Sequence, residues 1–187
     1  MKRELVLGLS VLALSACGPV AEPRQAPSVS GTSSAPMTPP TDKPSGGLWS
    51  ACYDTFSPSG SVRGDIARLT RSCGPTGGMR AVTPVTVAQQ SDRDPVDRYT
   101  FYVPRAGACY RVYAVGDRGI ADLDLLIRGP SGEDFVADLT HDAFPVLPPQ
   151  SPLCFDGAGL YMLEVSVFRG SGSYALQVWG NADGVGK

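Results

Sequence analysis

The chain has 187 residues, of which 42% carry hydrophobic side chains and 18% are charged, and its formal net charge is −2. That length holds one domain with a full hydrophobic core and leaves residues over for flanking segments. The near-neutral balance, with no run of like charge, excludes the basic field that a nucleic-acid binder needs.

In chain order, Lys2 and Arg3 precede an apolar stretch from Leu5 to Leu14 that only Gly8 and Ser10 interrupt. The stretch is too short to cross a bilayer, which takes about 20 apolar residues, and it has the layout of a secretory signal. Leu14-Ser15-Ala16-Cys17 matches a lipobox, the cleavage site of bacterial lipoprotein signals, in which the cysteine thiol takes diacylglycerol. Residues 1–16 are therefore read as a signal peptide and Cys17 as the lipidation site. Each buried acyl methylene contributes about 0.8 kcal/mol, so the acylated end anchors the chain firmly to a membrane. Resemblance to known lipoproteins, in which Asp after the cysteine retains the protein at the inner membrane, implies through Gly18 the outer membrane of a diderm bacterium. The location expected is extracytoplasmic.

Residues 17–47 follow as a tether. Gly18 to Gly47 holds seven Pro, five Ser, three Thr and four Gly, which is nineteen of thirty residues. Such a composition buries too little apolar surface to offset the entropy of ordering, so disorder is expected. A flexible chain of this length spans on the order of 30 Å. Removing Lys2, Arg3 and Glu4 with the signal leaves 14 basic and 17 acidic side chains, a balance of −3.

Residues 48–181 have the composition of a folded domain, and 182–187 are expected to fray. With Cys17 lipidated, Cys52, Cys73, Cys109 and Cys154 remain, an even set in an oxidising compartment. Four cysteines allow three connectivities. Zinc is the rival reading, but no pair has C-x-x-C spacing and His141 is the only histidine. "SVRGDIARLTRSCG" reads as a helix, because Val62, Ile66, Leu69 and Cys73 recur at helical spacing and Gly74 can end it. Cys73 on the inward face favours a Cys52–Cys73 bond, and Cys109 and Cys154, each opening a strand after a turn, favour Cys109–Cys154.

The remainder alternates as strands: "DRYTFYV", "CYRVYAV", "LDLLI", "LYMLEVSVF" and "SYALQVW". Arg169-Gly170-Ser171-Gly172 reads as a hairpin turn between the last two. The fold class expected is all-β, an antiparallel jelly-roll-like β-sandwich with one short N-terminal helix. "DRYTFYVPRAGACYRVYAV", "ADLDLLIRGPSGE" and "GLYMLEVSVFRGSGSYALQVW", within 94–179, resemble the bacterial pre-peptidase C-terminal domain. That family shows a D-x-Y-x-F strand, a D-L-D-L strand and a closing G-x-Y hairpin. The resemblance implies a compact sandwich concerned with secretion, binding or spacing rather than with chemistry.

Few residues offer chemistry. A hydrolytic triad needs a base, and only His141 is available, with Asp138 and Asp142 near it in sequence; an enzyme would need these three around a cleft. Alternating carboxylates make Asp122 and Asp124 candidate calcium ligands, and Asp92, Asp94 and Asp97 weaker ones. No other cofactor is implied. Arg63-Gly64-Asp65 spells an adhesion tripeptide but falls at the predicted helix start. Tyr99, Phe101, Tyr110, Tyr113, Tyr161, Tyr174 and Trp179 alternate within strands and are expected in the core; a flat exposed row of them would instead make a sugar platform. These observations together lead to a non-catalytic, lipid-anchored sandwich serving binding or envelope assembly. Its partners would be the membrane, through the lipid, and a protein or polysaccharide. A carbohydrate- or peptide-binding module and an enzyme built on His141 are the alternatives.

Overall fold

The computed structural model describes residues 50–91, 93–138 and 140–181. Cys17, the signal, the tether, Asp92 and the C-terminal tail lie outside the described residues. Two helices come first, α1 (Ser50–Asp54) and α2 (Val62–Cys73). Ten strands follow: β1 (Arg80–Ala81), β2 (Thr86–Gln90), β3 (Val96–Val103), β4 (Cys109–Gly116), β5 (Ile120–Arg128), β6 (Asp134–Asp138), β7 (Val146–Leu147), β8 (Leu153–Cys154), β9 (Gly159–Gly170) and β10 (Gly172–Asn181). All pairings are antiparallel. One sheet runs β1-β10-β4-β7, with β2 beside β10 and β8 beside β4; the other runs β3-β9-β5-β6. The all-β sandwich expected from the alternation is the fold observed, with α1 as a second helix that five residues were too few to reveal by periodicity.

The core lies between the sheets. Tyr110, Val112 and Ala114 of β4 and Leu176 and Val178 of β10 pack with Leu123, Leu125 and Ile127 of β5 and Leu163 and Val165 of β9. A second cluster forms on the outer face of the first sheet, where Ile66, Leu69 and Cys73 of α2 cover Tyr113, Val115 and Ala175. β4 is thus buried on both faces along its whole length. That explains why "CYRVYAV" is nearly continuous in apolar and aromatic residues. α2 ends where its backbone meets an indole: a Cβ on Gly74 would stand 2.7 Å from the Trp179 ring. Gly74 is right-handed (φ −58°), so the glycine is needed for close approach and not for a left-handed cap.

Two disulfides fasten this arrangement. Cys52–Cys73 joins α1 to the end of α2 with a Cα–Cα distance of 5.6 Å. Cys109–Cys154 bridges registered partners on β4 and β8, 3.9 Å apart at Cα. Both are the pairings the sequence favours. The expected β9–β10 hairpin is corrected: the two strands lie in different sheets, so the turn at Gly170–Gly172 carries the chain across the sandwich. Gly170 (φ +101°) makes the crossing because a Cβ there would meet the Gly119 carbonyl at 2.2 Å.

Candidate functional site

The acidic residues singled out in sequence converge on one corner of the second sheet. β5 is bulged there, with register shifts on both sides of Asp122. A bulge turns a side chain away from the simple alternation, and Asp122 ends 2% exposed, its Oδ2 3.3 Å from His141 Nδ1. Its Oδ1 has no hydrogen-bond partner among the described residues. Asp124, two residues on and half-buried, is pushed up to about 6, by desolvation and then by the charge of Asp122, while His141 acts to lower it. Asp138, at the end of β6, is buried and pushed up to about 7; desolvation is the main cause, and Asp142 and Asp124 add repulsion. The Thr140 hydroxyl donates to Asp138 Oδ2 at 3.1 Å and partly opposes that rise.

Asp142 serves the N-terminal helix. The Tyr53 hydroxyl of α1 donates to its Oδ2 at 3.0 Å, and the Phe144 N–H donates to its Oδ1 at 2.9 Å. Tyr53 also packs its ring on Phe144, with centroids 5.3 Å apart. The carboxylates proposed as partners of His141 are therefore engaged elsewhere: Asp142 docks α1, Asp138 takes the Thr140 hydroxyl, and His141 pairs with Asp122. The His141 side chain is 77% exposed, which is not the desolvated, oriented setting of a general base. Among the described residues no three His, Cys, Asp or Glu side chains form a group that could hold a metal ion. Asp122 and Asp124 would supply at most four carboxylate oxygens of the six to eight calcium takes.

Asp65 of the Arg63-Gly64-Asp65 tripeptide is fully buried. It accepts the Ser59 and Gly60 N–H groups at 2.8 and 2.9 Å and the Ser59 hydroxyl at 2.8 Å, and it is paired with Arg68. These bonds outweigh the burial that would raise it and hold the carboxyl below its ordinary range. The tripeptide lies in the first turn of α2, where its Asp65 has a structural role. The aromatics taken for core side chains are mostly so: Tyr110, Tyr113, Tyr161 and Tyr174 are each at most 5% exposed. Among the described residues the exposed rings are Phe135 (39%), which stacks on buried Phe155, Tyr102 (62%) and Phe168 (73%). The last two are far apart. Tyr102 is registered opposite Leu160, eight residues along β9 from Phe168, or about 27 Å at 3.4 Å per residue. They do not form a row.

Sequence reasoning missed the apolar groove at the open side of the sandwich. β3 is the outermost strand of its sheet, and no described strand pairs with its free edge. Facing it is the segment between β1 and β2, held to β10 where the Val178 N–H donates to Thr83 Oγ1 (3.0 Å) and Gln177 Nε2 to the Thr83 carbonyl (3.1 Å). Between them lies a cavity of about 400 Å³ lined by Val82, Thr83, Phe101, Tyr102, Pro104 and Tyr110, among others. A second, of about 190 Å³, shares Thr83, Thr100 and Phe101 and extends to Pro84, Thr86 and Tyr99. No lining residue of either is charged. A network closes the inner end: the Tyr99 and Tyr174 hydroxyls lie 2.6 Å apart, and Tyr174 donates to Asp97 Oδ2 at 2.6 Å. The polar bowl at Ser59–Ser61 and Asp117–Gly119 is less suited to a ligand, because Asp117 already takes the Gly119 and Ser173 N–H groups and Arg118 holds the Ser59 carbonyl.

No family model matches the sequence, and no curated protein does. Among solved structures, the chain is similar to the pre-peptidase C-terminal domain of a collagenase from Bacillus anthracis. The TM-score is 0.42 and the identity 19%, over 51% of this chain and 87% of that one. No described helix is long and apolar enough to cross a membrane, and the two disulfides belong to an oxidising, extracytoplasmic setting.

Proposed function

We propose that this chain is a non-catalytic, lipid-anchored binding module whose working surface is the groove between β3 and Val82–Thr86, and that it serves envelope or surface assembly. The observation that carries the reading is an uncharged, aromatic-lined groove lying along a strand edge that no described strand covers. Such an edge offers main-chain donors and acceptors to an extended polymer, and the flanking rings supply apolar contact. A protein segment or a polysaccharide chain is the class of ligand this geometry suits. The lipobox match of Leu14-Ser15-Ala16-Cys17 supports the anchoring half of the reading, in which residues 17–47 are the spacer. Calcium at Asp122 and Asp124 has no part in it.

Two measurements test the halves separately. Cys17→Ala should abolish palmitate incorporation and detergent-phase partitioning; unchanged membrane retention would refute the anchor. Thr100→Lys places a charge on an exposed position in the groove. Captured partners from envelope extracts should be lost with this variant while its melting temperature stays that of the parent, and an unchanged set of partners would remove the groove from the function.

A further inference from the structure

An exposed strand edge is normally blunted by a bulge, a proline or a charge within it. β3 holds no proline and is registered with β9 from Val96 to Val103 without a shift. Its exposed charge, Arg98, is tied to Glu164 at 3.0 Å. We propose that the partner of this edge is β3 of a second copy of the chain, paired antiparallel across a two-fold axis through Thr100. The inference rests on the groove and its edge being the docking surface, and it names the protein segment that docks there.

The main chain sets what the edge offers. The Val167 N–H donates to the Pro95 carbonyl at 3.1 Å, one pair before Val96 and Ser166. Bonded and non-bonded pairs alternate along an antiparallel ladder, so the odd-numbered residues of β3 bond to β9. Arg98, Thr100 and Tyr102 therefore turn their N–H and C=O groups to the free edge. Two such edges related by a two-fold axis normal to the sheet must oppose residues of one face, so the axis passes through a residue. An axis at Arg98 opposes that residue to itself, and one at Tyr99 opposes Arg93 to Arg105, like charges in both cases. An axis at Phe101 sets Arg98 against Pro104, which has no N–H to donate. The axis at Thr100 avoids all three.

The side chains then complement one another. On the outer face Arg98 comes beside the Tyr102 ring of the second copy, a cation–π pair, and the two exposed Thr100 side chains meet at the axis. On the face toward the core Tyr99 opposes Phe101 of the second copy, an aromatic cross-strand pair. At each end Arg105 of one copy opposes Pro95 of the other, beside the exposed carboxylate of Asp94. The pairing covers Tyr102, one of the most exposed rings, and brings the two uncharged grooves together as one apolar seam. A single strand edge is a small interface, of the class below about 1,200 Å² that associates weakly and reversibly.

The test is sedimentation and site-directed cross-linking of the full chain in detergent. The parent should shift from monomer to dimer as its concentration rises. Thr100→Lys, which sets like charges together at the axis, should stay monomeric while its circular dichroism remains that of the parent. Opposed bonded residues lie about 5.5 Å apart at Cα, within reach of a disulfide. Thr100→Cys should therefore form a covalent dimer at least about ten-fold faster than Tyr102→Cys, whose opposite number is Arg98. A chain carrying both Arg98→Cys and Tyr102→Cys should cross-link as readily as Thr100→Cys. A parent that stays monomeric up to about 1 mM overturns the dimer, while partner capture and its loss in Thr100→Lys still judge the groove on their own. A dimer that survives Thr100→Lys, or Tyr102→Cys cross-linking as fast as Thr100→Cys, overturns the assigned pairing.

Discussion

Asp65 shows how much one carboxylate can organise. It is wholly buried at the start of α2, yet four donors converge on it: two backbone N–H groups, the Ser59 hydroxyl and the Arg68 guanidinium. The carboxylate also suits the positive end of the helix dipole. Removing it would leave the Ser59 and Gly60 N–H groups without an acceptor. Asp65→Ala should therefore lower stability by about 2–3 kcal/mol in chemical denaturation; a loss below about 0.5 kcal/mol would show that water replaces the acceptor at no cost. Arg63→Ala, at an exposed position of the same tripeptide, should have almost no effect.

At the scale of elements, the acidic corner ties α1, β5, β6 and the loop after β6 to pH. Asp138 rises to about 7 inside this corner, with Asp124, at about 6, and Asp142 as its charged neighbours. A carboxyl raised above its unfolded value binds its proton more tightly in the native state, so its stabilising effect is complete below about pH 4 and is lost as pH climbs through 7. From pH 5.5 to 8 the chain should lose about 2 kcal/mol of stability. Asp138→Asn should flatten that slope and make the protein more stable than the parent at pH 8; a parent whose melting point is level across the range would dismiss the buried charge. The sequence made parts of this corner visible and hid others. The five long strands and α2 were legible because each keeps one period over enough residues. β1, β7 and β8, at two residues each, carry no period at all. The hairpin reading of Gly170–Gly172 failed because alternation states which residues share a face, not which sheet a strand joins. His141 and Asp122 are paired by a β-bulge, a device that leaves no signature in residue type. The groove was illegible for a related reason, since its walls come from β3 and from a loop pinned to β10, and only the sandwich brings them together.

For the whole molecule, the consequence of the Cys52–Cys73 bond is mechanical. Tension applied from the N-terminal side enters at Ser50 and is passed by the sulfurs directly to Cys73, a separation of 21 residues that cannot be drawn out while the bond holds. α1 and α2 are shielded from stretch, and the load falls next on β1, whose two residues pair with β10. Peeling so short an edge releases little chain before β2 and its five registered pairs take the strain. In single-molecule pulling from the N terminus under oxidising conditions, replacing Cys52 and Cys73 by serine should lengthen the total extension by about 70 Å, the extended length of the bypassed loop, and an unchanged extension would mean that force bypasses the bond. The disulfide thus acts as a strain relief for any pull that enters through Ser50.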